Sequence, residues 1–485
     1  MEYEAIIGLE VHVQLLTRSK MFCGCDANYQ DAPPNTHVCP VCLGLPGSLP
    51  VINKRAVEYT IMTGLALNCQ IAPVTKWDRK NYHYPDLPKD YQISQYDLPL
   101  TFAGHLTIDV EGRPKRIGIR RVHLEEDTGR LYHVDGRALV DYNRSGVPLI
   151  EIVSEPDIRS PEEARLYLQK LRTIVRYLGV SSGDMEAGAL RVDANVSVRP
   201  VGQETFGTQV EVKNMNSFRS VKLALEYEIE RQIGVLRAGG TVVRETRGWV
   251  ESEGRTVSQR SKEEAHDYRY FPEPDLPPLE IMPAWVDALR RALPELPDEK
   301  AARYQREYGL SAYDAGLIVA DRLVAEWYEA AVALGAKAQP PISPKTVTNW
   351  LTGEVFRLMR ERGQDIQALS LSPAALVEVL GLVANGTINN NVAKHVVRDV
   401  IESGKAPTQI VEERGLRQIS DEAQLAQIVA QVLDQHPDEV QAYLNGREQV
   451  AKWLMGQVMR ATRSKANPQV VMALLIQHLE ARRSS

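Results

Sequence analysis

The chain has 485 residues, of which 44% are hydrophobic and 25% charged, and its formal net charge is −6. This length exceeds one ordinary domain, so we expect about two to four domains of globular composition. No apolar run approaches the roughly 20 residues of a membrane span, and no signal peptide is apparent, so we expect a cytoplasmic protein. The net charge excludes a simple polybasic nucleic-acid binder, although a large RNA can still bind where basic residues are concentrated.

The first regular pattern, at residues 8–15, alternates apolar and polar side chains. It places Leu9, Val11 and Val13 on one side and the pair Glu10 and His12 on the other, which predicts a strand with one packed and one open face. Four later stretches repeat the pattern, at residues 122–125, 149–155, 191–199 and 209–213. Their polar sides carry His123 and Glu125, Glu151 and Glu155, Asp193 and Asn195, and Glu211 and Lys213.

If the five strands share a sheet, its open face collects at least six carboxylates, which repel one another unless cations neutralise them. Such a surface favours Mg²⁺ and phosphate binding. The Glu10 and His12 pair suits a divalent metal because side chains at i and i+2 leave a strand on the same side. For any single segment, a solvated edge strand is the alternative.

Four of the five cysteines lie close together in the sequence: Cys23, Cys25, Cys39 and Cys42. They form Cys-x-Cys and Cys-x-x-Cys pairs separated by 13 residues, a spacing that favours a tetrahedral structural zinc site. Metal-free thiols and a redox pair are the alternatives, although a redox Cys-x-x-Cys needs a preceding strand and a following helix. We expect Cys69 to be a buried small side chain.

Two stretches interleave aromatic and basic residues, as loops that contact phosphates and stacked bases do. The first covers residues 80–91 and includes Lys80 and Lys89, and the second covers residues 255–262 and 266–271. A proline-stiffened surface loop is the alternative for each.

Helix signals are clearest at residues 160–179, where a capping box precedes an apolar stripe, and at residues 217–239. Seven prolines between residues 271 and 298 mark the exit from the first domain. A helical block follows to about residue 402, and Gly404 and Pro407 interrupt it. From Ser420 onward we expect three or four amphipathic helices, with a basic strip at residues 446–465 that suits RNA backbone or simply a solvated face.

The chain has neither a Walker-type phosphate loop nor a Rossmann glycine motif, and no amidase nucleophile stands out. Its longer motifs resemble the B subunit of the Asp/Glu-tRNA amidotransferase, the GatB family, over nearly the whole length. The resemblance rests on residues 8–15, the four cysteines, and the stretches 84–89, 123–127, 141–151, 193–199 and 268–276.

The resemblance implies a protein that works with the amidase (A) and the small (C) subunit of the amidotransferase. It would bind Glu-tRNA(Gln), and in many organisms Asp-tRNA(Asn), phosphorylate the side-chain carboxylate with ATP, and let channelled ammonia displace the phosphate. It also implies that His12, Glu125 and Glu151 bind Mg²⁺, and that Glu10, Asp193 and Glu211 form a second or outer position. Lys80 and Lys89 would contact phosphate or line the ammonia path, and Lys213 and Arg191 would bind the cofactor.

We therefore predict an α+β protein with three parts. Residues 1–292 form a mixed β-sheet cradle domain with helices that carries ATP, Mg²⁺ and zinc. Residues 293–405 form an all-α helical domain, and residues 406–485 form a small helical YqeY-like tail that binds tRNA. The alternative function is a zinc-stabilised tRNA-binding scaffold without catalysis, but such a scaffold has no use for carboxylates that repel phosphate.

Overall fold

The computed structural model describes residues 2–261, 268–418, 422–462 and 465–483. The chain forms two compact units, Met1–Pro297 and Asp298–Ser485. None of the helices in the described ranges combines the length and apolar character that a membrane crossing requires. The observed α+β architecture confirms the predicted fold class, whereas the division into three domains at residues 292 and 405 stays a prediction.

The strands of the first unit follow one another in this order along the chain. They are β1 Tyr3–Gln14, β2 Gln70–Ile71, β3 Val74–Thr75, β4 Asp78–Asn81, β5 Tyr91–Ser94, β6 Thr101–Val110, β7 Arg113–Glu126, β8 Arg130–Val134, β9 Arg137–Asp141, β10 Pro148–Ser154, β11 Leu190–Pro200, β12 Val210–Met215, β13 Glu245–Val250, β14 Arg255–Ser261, β15 Phe271–Pro272 and β16 Leu279–Glu280. The helices of this unit are α1 Lys54–Ala66, α2 Pro161–Tyr177, α3 Phe218–Arg237 and α4 Pro283–Arg291.

One nine-stranded mixed sheet organises the first unit, in the order β14-β13-β12-β11-β1-β10-β7-β6-β2. Its pairs are antiparallel except for the parallel pair of β12 and β13. The five strands predicted from alternating residues are therefore contiguous in the sheet, as β12, β11, β1, β10 and β7. The condition on which the predicted carboxylate-rich face depends, that the five strands share one sheet, is therefore met.

The apolar side of this sheet faces the core. Leu9, Val11 and Val13 of β1 are buried in the same hydrophobic cluster as Leu171 of α2 and Leu225 of α3. Each fully buried side chain of this size contributes about 1.5–3 kcal/mol. A shift of register by one residue would turn Glu10 and His12 into the core, so burial of the apolar side fixes which side chains remain open.

Helix α2 begins as the sequence predicts. The Ser160 hydroxyl accepts a hydrogen bond from the Glu163 amide, and Pro161 occupies the first turn. The second predicted helix is α3, capped by Ser217. Both helices pack against one another, and α3 also contacts β11 and β12, so they support the sheet from behind.

The two stretches expected to be contact loops are partly strands, and that part of the prediction is wrong. Lys80 lies in β4 and Tyr91 begins β5, two strands of a small three-stranded sheet. The second stretch begins as β14, an edge strand whose backbone pairs with β13. Thr256 of this strand is buried and its hydroxyl donates to Glu228 Oε2 at 2.9 Å, so tertiary contacts override the loop-like composition. Lys262, His266 and Asp267 lie outside the described residues.

The second unit is entirely helical in its described residues. It contains α5 Pro297–Tyr308, α6 Ala312–Val319, α7 Arg322–Gly335, α8 Pro344–Trp350, a π-helical turn Leu351–Val355, α9 Phe356–Arg362, α10 Pro373–Ala384, α11 Asn390–Ser403, α12 Pro407–Glu413, α13 Glu422–Gln435, α14 Pro437–Leu444, α15 Val450–Ala461 and α16 Pro468–Arg483. The interruption predicted near Gly404 is present, because Gly404 ends α11 in a left-handed conformation. Helices α13–α16 enclose a hydrophobic cluster of their own. Of the predicted basic strip, Arg463 lies outside the described residues.

Candidate active site

The first cluster of functional side chains lies where β1, β10 and β7 run side by side. His12 of β1 is opposite Glu151 of β10, which in turn is opposite His123 of β7. The His12 Nε2 atom is 3.3 Å from Glu151 Oε2 and 3.7 Å from Glu125 Oε1. One potential ligand atom from each of His12, Glu125 and Glu151 lies within 4.8 Å of the others. We call these three residues the histidine cluster.

Electrostatics in the histidine cluster favour a bound cation. Burial alone would lower the pKa of His12, but the hydrogen bond to Glu151 and the charges of Glu151 and Glu125 raise it to about 9. Burial alone would raise the pKa of Glu151, but the neighbouring His123 and His12 hold it well below its usual range. The carboxylates are therefore ionised at neutral pH, and a proton on His12 provides part of the charge that a metal would supply.

His123 belongs beside the histidine cluster, although the sequence motifs did not single it out as a site residue. Its Nε2 atom is 3.6 Å from Glu151 Oε2 and 3.7 Å from Glu125 Oε2, and the residue is only 2% exposed. Its Nδ1 atom is buried without a hydrogen-bond partner in the described chain. The available signal was its position two residues before Glu125, which places both side chains on one face of the strand.

The second cluster lies on β1, β11 and β12 and consists of Glu10, Asp193 and Glu211, which we call the acidic triad. One oxygen from each carboxylate lies within 4.8 Å of the others. The Asn195 amide donates to Glu10 Oε1 at 2.9 Å, and the Thr246 hydroxyl donates to Glu211 Oε2 at 2.7 Å. Burial, together with the nearby Glu151 and Asp193, raises the pKa of Glu10.

Lys213 of β12 reaches into the acidic triad. Its Nζ atom is 2.6 Å from Asp193 Oδ2 and 3.3 Å from Glu211 Oε1. Burial alone would lower the pKa of Lys213, but these two carboxylates raise it. The ammonium group is thus charged and held between two groups that could bind a metal.

A cavity of about 270 Å³ adjoins the acidic triad. Its lining includes Glu10 and Asn195 from the triad region, together with Arg120, Phe206 and Gln209. The Phe206 ring is largely exposed, and the Arg199 guanidinium lies 5.6 Å from its centre. An aromatic face, a basic side chain and adjoining metal ligands together suit a nucleotide.

Lys80 of β4 interacts electrostatically with the histidine cluster. Burial alone would lower its pKa, but Glu125, Tyr270 and Glu151 raise it. The Nζ atom lies 5.0 Å from the centre of the Tyr268 ring. The partly buried Lys80 is therefore close enough to the two carboxylates for their charges to stabilise its ammonium group.

The other predicted basic residues, Arg191 and Lys89, form ion pairs with carboxylates that belong to neither cluster. Arg191 Nη2 is 2.8 Å from Asp127 Oδ1. Burial alone would raise the pKa of Asp127, but the positive charges near it, Arg191 first among them, lower that pKa to about 2. Lys89 Nζ lies 2.6 and 2.7 Å from the two carboxylate oxygens of Glu126. Because Glu126 directly follows Glu125 in β7, the two carboxylates leave opposite faces of the strand. Both side chains thus pair with carboxylates outside the two clusters, although Arg191 of β11 lies directly opposite His12 of β1.

The cysteines converge in a loop region that follows β1. One sulfur from each of Cys23, Cys25, Cys39 and Cys42 lies within 4.8 Å of the others, and all are free thiols. The hydrogen bond from Cys23 lowers the pKa of Cys42 to about 4, and Lys20 Nζ is 3.7 Å from the Cys42 sulfur. Four converging thiols with a neighbouring buried cation fit a tetrahedral metal. Turns, rather than a strand and a helix, flank the Cys-x-x-Cys pair, which disfavours the redox alternative.

Comparisons with known proteins agree with this arrangement. Residues 5–287 match the family described as the GatB/GatE catalytic domain, and residues 326–479 match the GatB domain. A protein of Moorella thermoacetica is 56% identical over 483 residues, and one of Thermodesulfovibrio yellowstonii is 53% identical over 481 residues; the matches cover 99% of this chain and 100% of each relative. Both are named as the B subunit of the aspartyl/glutamyl-tRNA(Asn/Gln) amidotransferase. The chain therefore belongs to the GatB family, the B subunits of tRNA-dependent amidotransferases.

Proposed function

We propose that this chain activates the side-chain carboxylate of glutamate on tRNA(Gln), or of aspartate on tRNA(Asn), by phosphorylation. A carboxylate oxygen attacks the γ-phosphorus of ATP, and ADP leaves. Ammonia then attacks the acyl carbon, and inorganic phosphate leaves as the amide forms. The names of the relatives support the substrate class, and the pair of metal-ligand clusters on one open sheet face is the observation that carries the proposal.

The histidine cluster is our proposed Mg²⁺ site, and the acidic triad is a second or outer site. Divalent ions held there would screen the repulsion between the anionic phosphate and the anionic carboxylate. The ion would have a nitrogen ligand from His12 and oxygen ligands from Glu125 and Glu151. His123 lies beside both carboxylates and would help to hold them in place. Because these side chains are already in position, they need little reorganisation to stabilise the charge that develops during phosphoryl transfer.

The cavity beside the acidic triad is our proposed nucleotide site. The Phe206 ring offers a surface on which adenine can stack, and Arg120 can pair with a phosphate. Lys213 contacts Asp193 and Glu211 of the triad, and we assign it to a phosphate oxygen of the nucleotide. Lys80 faces the histidine cluster, so we assign it to the transferring phosphoryl group or the substrate carboxylate. A role for Arg191 in cofactor binding stays a prediction.

Lys89 and Glu126 are our proposed boundary of the ammonia path. Their ion pair lines a cavity of about 70 Å³ that also reaches Lys20 and Cys42. The ammonia would come from the amidase (A) subunit, with the small (C) subunit needed for the complete complex. The cysteine cluster would hold structural zinc, and the helical tail would contact tRNA, in a complex located in the cytoplasm.

Hydroxylamine trapping tests the activation step. The reconstituted complex receives Glu-tRNA(Gln), Mg²⁺ and ATP, with hydroxylamine in place of glutamine. An acyl phosphate would yield a side-chain hydroxamate, whereas direct cleavage of the ester yields a different hydroxamate that needs no ATP. We expect ATP-dependent side-chain hydroxamate from the wild type and none from His12→Ala. If the wild type binds the tRNA but forms no such product, the non-catalytic scaffold is the better account.

A further inference from the structure

Four tyrosines form a row beside the histidine cluster, and none of them has a role in the proposed function. The rings of Tyr96 and Tyr270 are stacked, with their centres 4.2 Å apart and their planes inclined by 10°. Tyr268 lies 6.0 Å from Tyr270, and Tyr82 lies 5.9 Å from Tyr268, both edge to face. Tyr96 is 51% exposed, so the row begins at the protein surface. We call these four residues the tyrosine row.

The inner end of the tyrosine row lies against Lys80. The Lys80 Nζ atom is 5.0 Å from the centre of the Tyr268 ring and 5.8 Å from that of Tyr82. Burial raises the pKa of Tyr270 to about 12, the Lys80 charge opposes this shift, and the Glu125 carboxylate adds to it. The row therefore leads from the surface to the groups that surround the proposed Mg²⁺ site.

The stack of Tyr96 on Tyr270 is not needed to hold the chain in place. The segment that carries Tyr270 is already attached by an ion pair, in which Arg79 Nε and Nη2 are 2.6 and 2.9 Å from the Glu273 carboxylate oxygens. Beside Tyr270, Arg269 has a φ of 44°, a left-handed conformation that is uncommon for arginine. Backbone strain of this kind is concentrated at binding sites. Both features favour a ligand-binding role over a purely structural one.

A cation lies beside the exposed end of the tyrosine row. Arg121 Nη1 is 3.5 Å from the Tyr96 carbonyl oxygen. The Arg121 Nε atom is buried and has no hydrogen-bond partner among the described residues, and a buried donor without a partner favours a ligand that brings an acceptor. Nucleobases stack on aromatic rings, and guanidinium groups pair with phosphates. This end of the row therefore suits a nucleotide.

The adenine of ATP and the terminal adenosine of tRNA offer the same base, and the sheet distinguishes them. Phe206 of the proposed ATP cavity lies in the loop after β11. Tyr96 instead follows Gln95, whose Oε1 atom accepts a hydrogen bond from the Leu124 amide of β7 at 3.0 Å. Strands β11 and β7 lie on opposite sides of β1 and β10. Because attacking and leaving oxygens are in line in phosphoryl transfer, the acceptor carboxylate arrives from the side opposite the nucleotide.

We propose that the tyrosine row and Arg121 bind the 3′-terminal adenosine of the charged tRNA, with its adenine stacked on Tyr96. Arg121 pairs with the phosphate of this terminal nucleotide. The aminoacyl group then extends along Tyr268 towards Lys80 and the histidine cluster. This subsite rests on the proposed phosphoryl transfer and specifies how the acceptor carboxylate reaches it.

A fluorescent terminal base reports the stack directly. The reconstituted complex is saturated with Glu-tRNA(Gln) whose terminal adenosine is replaced by 2-aminopurine riboside, which stacking on an aromatic ring quenches. Fluorescence of the bound tRNA should be low with the wild type and with Tyr96→Phe, which keeps the ring, and higher with Tyr96→Ala. Tyr132→Ala, which removes an exposed tyrosine from β8, is the matched control and should behave as the wild type.

Steady-state kinetics with unmodified Glu-tRNA(Gln) separate the two sources of adenine. Tyr96→Ala should raise the KM for the tRNA about tenfold and leave kcat and the KM for ATP nearly unchanged. Arg121→Gln should raise the same KM and make it less dependent on salt.

The inference is overturned if Tyr96→Ala matches the wild type in bound fluorescence and in the KM for the tRNA. It is also overturned if the variant raises the KM for ATP instead, since the adenine of ATP would then occupy Tyr96. Failure of the proposed function looks different: the wild type would form no ATP-dependent side-chain hydroxamate, although the terminal base would still be quenched through Tyr96.

Discussion

The ion pair between Lys89 and Glu126 should make a large contribution to the stability of the first unit. Both side chains are almost fully buried, with 9% and 4% of their surfaces exposed. Replacing Lys89 by Met leaves the Glu126 carboxylate uncompensated, and breaking a buried pair costs about 3–5 kcal/mol. The Ile93 amide still donates to Glu126 Oε1 at 3.0 Å, so we expect a loss at the lower end, about 3 kcal/mol.

Equilibrium urea unfolding followed by tryptophan fluorescence measures this loss, because Trp77 lies in the core of the same unit. Hydrogen exchange of the Ile93 amide provides a local measurement. Adding Glu126→Gln removes the orphaned charge but keeps an acceptor for the Ile93 amide, so the double variant should recover about 2 kcal/mol.

The control is Lys222→Met. Its ammonium lies 3.0 Å from Glu162, but both side chains are more than one-third exposed, and such pairs contribute less than about 1 kcal/mol. If Lys89→Met were no more destabilising than this control, or if Glu126→Gln gave no recovery, burial would not determine the strength of the pair and the reasoning would be refuted.

Three other perturbations have defined outcomes. Cys39→Ser should release zinc, measured by metal analysis, and lower the thermal midpoint; unchanged zinc content would contradict a four-thiolate site. Because the raised pKa of His12, about 9, makes a proton compete with metal, affinity for Mn²⁺ should rise up to tenfold per unit from pH 7 to 9 in calorimetric titrations. By the same linkage, protonated His12 stabilises the metal-free protein, and this stability should be lost as the pH rises through about 9. An affinity for Mn²⁺ that does not change with pH would rule out competition between the proton and the metal. Deleting residues 420–485 should weaken tRNA binding at least tenfold by fluorescence anisotropy while the first unit stays folded, and unchanged affinity would remove the tail from the recognition surface.

The alternating segments predicted the centre of the sheet well because a period of two is a direct consequence of strand geometry. The same periodicity placed His12, Glu125 and Glu151 on one face, and the observed order of β1, β10 and β7 brings them together. Strand order itself is not encoded in the alternation. Spacing alone did not divide the candidate ligands into the histidine cluster and the acidic triad. The resemblance to the GatB family predicted that division, and the structure shows two clusters with those members.

Other features depended on contacts between distant parts of the chain. Lys89 and Glu126 are separated by 37 residues, and Arg191 and Asp127 by 64 residues, so local patterns could not reveal either pair. The second aromatic and basic stretch looked like a loop by composition, yet it adds an edge strand because β13 offers an open backbone. His123 lay within a recognised motif, but only the fold shows that its ring contacts both cluster carboxylates.

ATP turnover by the reconstituted complex tests the central claim most directly. The assay compares wild type, Glu125→Gln and the control Glu226→Gln, an exposed residue on α3, with and without Glu-tRNA(Gln). We predict that turnover requires the charged tRNA, is retained in Glu226→Gln and vanishes in Glu125→Gln, whose tRNA affinity stays within a few fold of the wild type. Undiminished turnover in Glu125→Gln would contradict the assignment of phosphoryl transfer to the open face of this sheet.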